Sequence, residues 1–259
     1  MQEPVSIKKD KSPLGAGAQI FGKIWATWAL VSFAVTMLVF LIPFFLLCYF
    51  RDDPQKTKIF IRIAKIWMNV FLTSVGCPVT VKGKKNFKPG ETYIVVCNHN
   101  ALLDVPVSCP YIPGGNKTIA KIEMAKTPLF GLIYKTGSVL VDRKNDASRR
   151  ESYNKMKEVL NMGLHMSIYP EGTRNKTNEP IKAFHDGAFR LARDTKKAII
   201  PAVIFNSKKA MPADRGFFLL PYRLSMHFLE PVEVLPTDTS QTLKEKVFVM
   251  MRDYYVANS

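Results

Sequence analysis

The sequence predicts an α/β fold, a largely parallel mixed sheet flanked by helices, preceded by an N-terminal membrane-anchoring helical segment. Three observations predict it. From residue 78 onward, short β-branched runs alternate with helical patterns. The stretch from Ile24 to Phe50 contains no charged residue. Hydrophobic residues make up 47% of the 259, enough for a substantial core and too many for a disordered chain.

The uncharged stretch exceeds the ~20 helical residues that cross a hydrocarbon core. It is too long for the apolar part of a signal peptide, and no small-residue cleavage site follows, so an uncleaved anchor is expected. Arg51-Asp52-Asp53-Pro54 ends it abruptly. In the next segment, Lys58 to Val75, the cations Lys58, Arg62 and Lys65 fall on one helical face. Ile59, Phe60, Ile63, Ile66, Trp67, Val70 and Phe71 form a wide apolar surface around them, a pattern suited to the headgroup boundary of an anionic membrane. Lys8, Lys9, Lys11 and Lys23 precede the anchor, while Arg51, Lys56, Lys58, Arg62 and Lys65 follow it. Positive charge on both sides leaves open a span or a hairpin that enters one leaflet and returns, with Pro43 as a physical cause for the bend. Residues 1–77 are therefore read as anchor and interfacial helices, and 78–259 as the α/β domain.

Within that domain, Thr92 to Cys97, Gly137 to Val141, Met166 to Tyr169 and Ala198 to Ile204 read as buried strands. Ser148-Arg149-Arg150-Glu151 matches a capping box. Tyr153, Met156, Val159 and Leu160 then give an apolar helical face, and Gly163 is placed to end it. Further helices are expected over Asp186 to Lys196 and Ser240 to Tyr254, with Asn206 to Arg215 as a surface loop.

The net charge of +16 calls for an anionic partner. Neither zinc-finger spacing nor an aromatic RNA-binding pattern is present, which argues against nucleic acid and for a membrane surface or a phosphorylated substrate. The four cysteines, Cys48, Cys77, Cys97 and Cys109, form no CxxC pair, so neither a disulfide framework nor a metal site is expected, and a reducing compartment fits.

The chemistry concentrates in two stretches. Cys97-Asn98-His99-Asn100-Ala101-Leu102-Leu103-Asp104 follows a buried strand directly, where parallel α/β sheets place their sites. A carboxylate five residues after a histidine can orient its ring, provided His99 precedes a helix and Asp104 lies in that helix's first turn. Pro106 supports a helix start there. Tyr169-Pro170-Glu171-Gly172-Thr173-Arg174 also follows a strand and offers a guanidinium fork suited to phosphate. Taken alone, it also reads as an ordinary turn.

Asn98-His99 with Asp104, followed by Glu171-Gly172-Thr173-Arg174, resembles the glycerolipid acyltransferase family, whose best-known members are the PlsC-type 1-acylglycerol-3-phosphate acyltransferases. Gly137-Ser138-Val139-Leu140-Val141-Asp142-Arg143, Ile200-Pro201-Ala202, Ala120-Lys121-Ile122-Glu123 and Lys182-x-Phe184-x-x-Gly187-Ala188 resemble further blocks, in order, over roughly residues 80 to 205. Ala202 stands where Val is more usual, and Asn100 where Ser or Gln is common. The resemblance implies His99 and Asp104 as the catalytic pair. It implies substrate binding by Lys121, Arg143, Glu171, Gly172, Thr173 and Arg174, with Lys121 and Arg174 holding phosphate and Glu171 and Thr173 mainly fixing the turn. It implies acyl-CoA or acyl carrier protein (ACP) as donor, no metal or other cofactor, and a membrane location with the active site on the cytoplasmic face. The expected reaction converts lysophosphatidic acid to phosphatidic acid. Alternatives are the same chemistry on a lyso-ornithine lipid or another lysophospholipid, a non-catalytic membrane adaptor, or a tethered transferase for soluble acceptors. Cys97 could form an acyl-enzyme with His99, but a small buried strand residue is the favoured reading.

Overall fold

The computed structural model describes residues 15–259. Lys8, Lys9 and Lys11, counted above in the charge balance, lie outside the described residues. Helix α1 (Ala16–Phe44) runs through Pro43 into a π-helical turn at Phe45–Tyr49, which absorbs the backbone mismatch that an internal proline creates. Helix α2 (Gln55–Ser74) then returns alongside it. The α/β portion follows in the order β1 (Val79–Lys82), β2 (Ile94–Cys97), α3 (Asp104–Ser108), β3 (Asn116–Lys121), α4 (Phe130–Gly137), β4 (Ser138–Val141), α5 (Asp146–Asn161), β5 (His165–Ile168), α6 (Gly187–Thr195), β6 (Ile199–Phe205), α7 (Ser207–Ala210), β7 (Leu224–Phe228) and α8 (Ser240–Asn258).

The seven strands form one sheet in the order β1-β7-β6-β2-β5-β3-β4. Strands β6, β2, β5, β3 and β4 are mutually parallel. The β1–β7 pair is parallel within itself but joins β6 through an antiparallel β6–β7 contact. This is the mixed, largely parallel sheet expected. Strand alternation divides the core in two. Val95, Cys97, Ile200 and Ala202 face Trp67, Phe71 and Leu72 of α2 and Val107 of α3. Ile94, Val96, Ile199 and Val203 face Leu160 of α5, Phe189 of α6 and Val247 of α8. Both faces of the central strands are covered, which is why they read as continuous apolar runs.

The first two helices belong to this packing. Ala26 and Ala29 of α1 share a core with the sheet. The indoles of Trp25, Trp28 and Trp67 donate to Val75 O, Ser74 O and Thr36 Oγ1, stitching α1 to α2 along their length. The hairpin is also tied to the domain at both ends. Leu219 N donates to Gly22 O beside the end of the sheet that carries His99. At the other end, Lys117 Nζ meets Asp53 Oδ2 at 2.6 Å. The outward side of α1 remains apolar and bare, including Ile24, Leu30, Val35, Leu38 and Ile42, and Phe50 beyond the π-helical turn is bare as well. By length and composition, Ala16–Tyr49 is long and apolar enough to cross a membrane.

Several local expectations need correction. Ser148 does not cap α5. Asn145 is the cap, its side chain accepting from Ser148 N, while Ser148 Oγ accepts from Asp142 N. The capping-box spelling was satisfied in sequence, but Asn145 reaches the same free amides three residues earlier. The stretch Asn206 to Arg215 contains the one-turn helix α7. Strands β1, β3 and β7 were not read from sequence. Val79–Lys82 and Asn116–Lys121 carry lysines, so they lack the continuous apolar signal of the central strands.

Candidate active site

Parallel pairing fixes where the site lies. Val96 of β2 sits opposite Ile168 of β5, so chain leaving both strands emerges side by side. Two residues beyond β2 stands His99, and beside it runs Tyr169 to Arg174. Asn98 makes this exit rigid. Its side chain donates to Ile204 O and accepts from Ile204 N, continuing the β2–β6 ladder past the end of the strand. From the other side, Asn175 N donates to His99 O at 2.7 Å.

Helix α3 begins at Asp104, with Pro106 within its first turn, as the spacing required. The Asp104 side chain is fully buried, and its Oδ2 lies 2.8 Å from His99 Nδ1. The same oxygen accepts from Asn100 N at 2.5 Å and Ala101 N at 2.7 Å. An oxygen already receiving two amide protons acts as an acceptor, so Nδ1 carries the ring proton and donates. Nε2 is then left with its lone pair. The His99 side chain is 19% exposed. The arrangement is therefore an oriented, solvent-reachable base.

Glu171 takes a place the sequence did not indicate. Expected mainly to fix its own turn, it is completely buried and both its oxygens are engaged by backbone. His99 N donates to Oε1 at 2.7 Å and Lys182 N to Oε2 at 3.3 Å. It holds the His99 loop from beneath. Desolvation raises its carboxyl from 4.5 to about 8, against the lowering influence of those two amides. Gly172 follows at φ +69°, and a side chain there would press on the His185 ring. This is a turn that needs glycine.

The cations gather at the same edge. Lys121 ends β3, Arg143 follows β4, and Arg174 follows β5. At ~4.8 Å per strand, the end of β3 lies about 10 Å from that of β2. Arg143 does not pair with Asp142 or Asp146. Its guanidinium donates to Gly172 O at 2.6 Å, linking the β4 exit to the β5 turn. Lys182 donates to Thr173 Oγ1 at 2.8 Å. Among the described residues, neither the Lys121 nor the Arg174 side chain has a hydrogen-bond or ion-pair partner, and Arg174 is half-buried. Cys97 is fully buried, its Sγ directed at Ser167 Oγ, and burial pushes its thiol far above the ordinary range. A nucleophilic role does not fit that setting.

Residues 78–205, which carry every one of these groups, match the acyltransferase family. This segment, just under half of the chain, is an acyltransferase-family domain. Among curated relatives, a 1-acyl-sn-glycerol-3-phosphate acyltransferase from Cocos nucifera is 30% identical over 161 residues, covering 61% of this chain and 51% of the relative. The alpha enzyme of the same name from Mus musculus is 31% identical over 179 residues, covering 66% and 61%. The matches thus span about half to three fifths of those relatives. The crystal structure of the 1-acyl-sn-glycerophosphate acyltransferase PlsC from Thermotoga maritima superposes with a TM-score of 0.77 at 21% identity, covering 92% of this chain and 96% of that one. The fold of this chain is therefore the PlsC fold.

Proposed function

We propose that this protein transfers a fatty acyl chain from acyl-CoA or acyl-ACP to the free hydroxyl of lysophosphatidic acid, giving phosphatidic acid. The observation that carries the reading is the His99 Nδ1–Asp104 Oδ2 contact at 2.8 Å, which orients the ring and leaves Nε2 free to take a proton. In the proposed reaction, Nε2 removes the acceptor's hydroxyl proton as that oxygen attacks the thioester carbonyl carbon. The tetrahedral intermediate collapses with cleavage of the carbon–sulfur bond, and the imidazolium returns the proton to the departing thiolate. Asp104 stabilises the transient imidazolium. Arg174 and Lys121 hold the acceptor phosphate, since a dianion needs more than one cation to offset its desolvation. Arg143, Gly172 and Thr173 shape the turn that presents Arg174. The relatives' names support this acceptor.

The bare side of α1 supports attachment to a membrane of anionic lipid. A helical hairpin bound to its domain at Gly22 of α1 and at Asp53 in its connecting turn is held against the domain, so we place it within one leaflet, and we place the site on the cytoplasmic face. Leu102, 63% exposed, is a bare apolar side chain three residues from His99.

The test is an assay of detergent-purified protein on a panel of lysolipids with both thioester donors. Lysophosphatidic acid is the expected preferred acceptor. Arg174→Ala and Lys121→Ala are expected to raise its KM at least tenfold, a loss of about 1.4 kcal/mol each. Preference for an acceptor without a phosphate monoester, or unchanged KM in both variants, overturns the acceptor assignment. Full cellular function with His99→Ala would instead indicate a non-catalytic adaptor.

A further inference from the structure

The base is fixed by more than its carboxylate. The ring of Tyr169 lies against the His99 imidazole, with centroids 4.6 Å apart and planes tilted by 36°. Its hydroxyl is 2.5 Å from Ser108 Oγ, and Ser108 is fully buried at the last position of α3. The first position of that same five-residue helix is Asp104. A closed circuit results. Asp104 grips one edge of the imidazole, Tyr169 covers a face of it, and Ser108 ties Tyr169 back to the helix that carries Asp104. Burial holds the Tyr169 phenol protonated, so its hydroxyl remains able to donate to Ser108.

We propose that Tyr169 is a positioning residue for acyl transfer, its ring blocking rotation of the His99 imidazole and its hydroxyl, through Ser108, locking that ring to α3. Physical reasons support both parts. One hydrogen bond at Nδ1 leaves the imidazole free to swing about that bond, and a planar surface in contact with its face removes this freedom. The aromatic face also presents negative electrostatic potential to the ring that becomes cationic when it accepts the hydroxyl proton. Without Ser108, the phenol would have a buried polar end and no partner, and the ring could settle away from His99.

The inference rests on His99 acting as the base, and the experiment separates the two. His99→Ala, Tyr169→Leu, Tyr169→Phe, Ser108→Ala and the Tyr169→Phe/Ser108→Ala double variant are compared for kcat, KM and melting temperature. Tyr169→Leu is expected to lower kcat by about 10- to 100-fold with KM for the lysolipid unchanged. Tyr169→Phe keeps the ring and recovers most of that loss, to within about 3- to 5-fold of wild type. Ser108→Ala matches Tyr169→Phe, and the double variant is no slower than either, because all three break the same bond. Full kcat in Tyr169→Leu, or a loss residing wholly in KM, overturns the proposal while an inactive His99→Ala leaves the base assignment standing. Should Tyr169→Leu fail to fold, the hydroxyl cycle decides alone: additive losses in the double variant refute the coupling. Activity surviving in His99→Ala refutes the base itself.

Discussion

Glu171 offers a quantitative test of how the site is held. It is fully buried, and desolvation places its carboxyl at about 8 against 4.5 in an open chain. Between those values the folded protein keeps a proton that the unfolded chain has released. Stability therefore falls as pH rises through this window, with a slope approaching 1.4 kcal/mol per pH unit. From about pH 5 to pH 7 the loss comes to about 2–3 kcal/mol. Glu171→Gln keeps the shape and an oxygen to accept from His99 N, but it cannot ionise. The perturbation is read by thermal melting of wild type and Glu171→Gln in detergent across this range. The melting temperature of the wild type should fall by roughly 5–10 °C relative to the variant between about pH 5 and pH 7, taking about 2–4 °C per kcal/mol for a chain of this size. Parallel melting curves at every pH would refute the reasoning. They would mean that the His99 and Lys182 amides fully offset the desolvation and that Glu171 is ionised throughout.

Two further outcomes follow from the catalytic geometry. Asp104→Asn turns an amide group toward Nδ1 or disrupts the Asn100 and Ala101 amide contacts. It is expected to lower kcat by roughly 10³–10⁴-fold with little change in KM; retention of more than a tenth of the activity would show that the ring needs no carboxylate. Cys97→Ser is expected to keep activity within about threefold, since the thiol is fully buried and held protonated. Recovery of an acyl group attached to Cys97 after incubation with donor alone would contradict direct transfer.

Periodicity and composition by themselves determined the α/β class, the three central strands β6, β2 and β5 together with the edge strand β4, the apolar leading helix and the net positive charge. Each structural element is a repeating pattern of burial along a contiguous stretch, visible whenever many residues obey the same constraint. The His99–Asp104 pair was legible as well, because both partners lie on one loop and the start of one short helix. Pairing across the sheet decided the rest. Glu171 spells a solvated turn in sequence. Only the β2–β5 register brings it beneath His99, 72 residues away, and buries it. Tyr169 reads as the end of an apolar strand until Ser108, from a different element, fixes its hydroxyl. Arg143 was expected among the substrate-binding residues, and only the folded sheet shows it reaching the Gly172 carbonyl across two strands. Linear charge counting left the leading segment undecided between span and hairpin. The contacts of Gly22 with Leu219 and of Asp53 with Lys117 bind both ends of that segment to the domain. Such contacts join residues far apart in the chain through one or two atoms each, so no local pattern announces them.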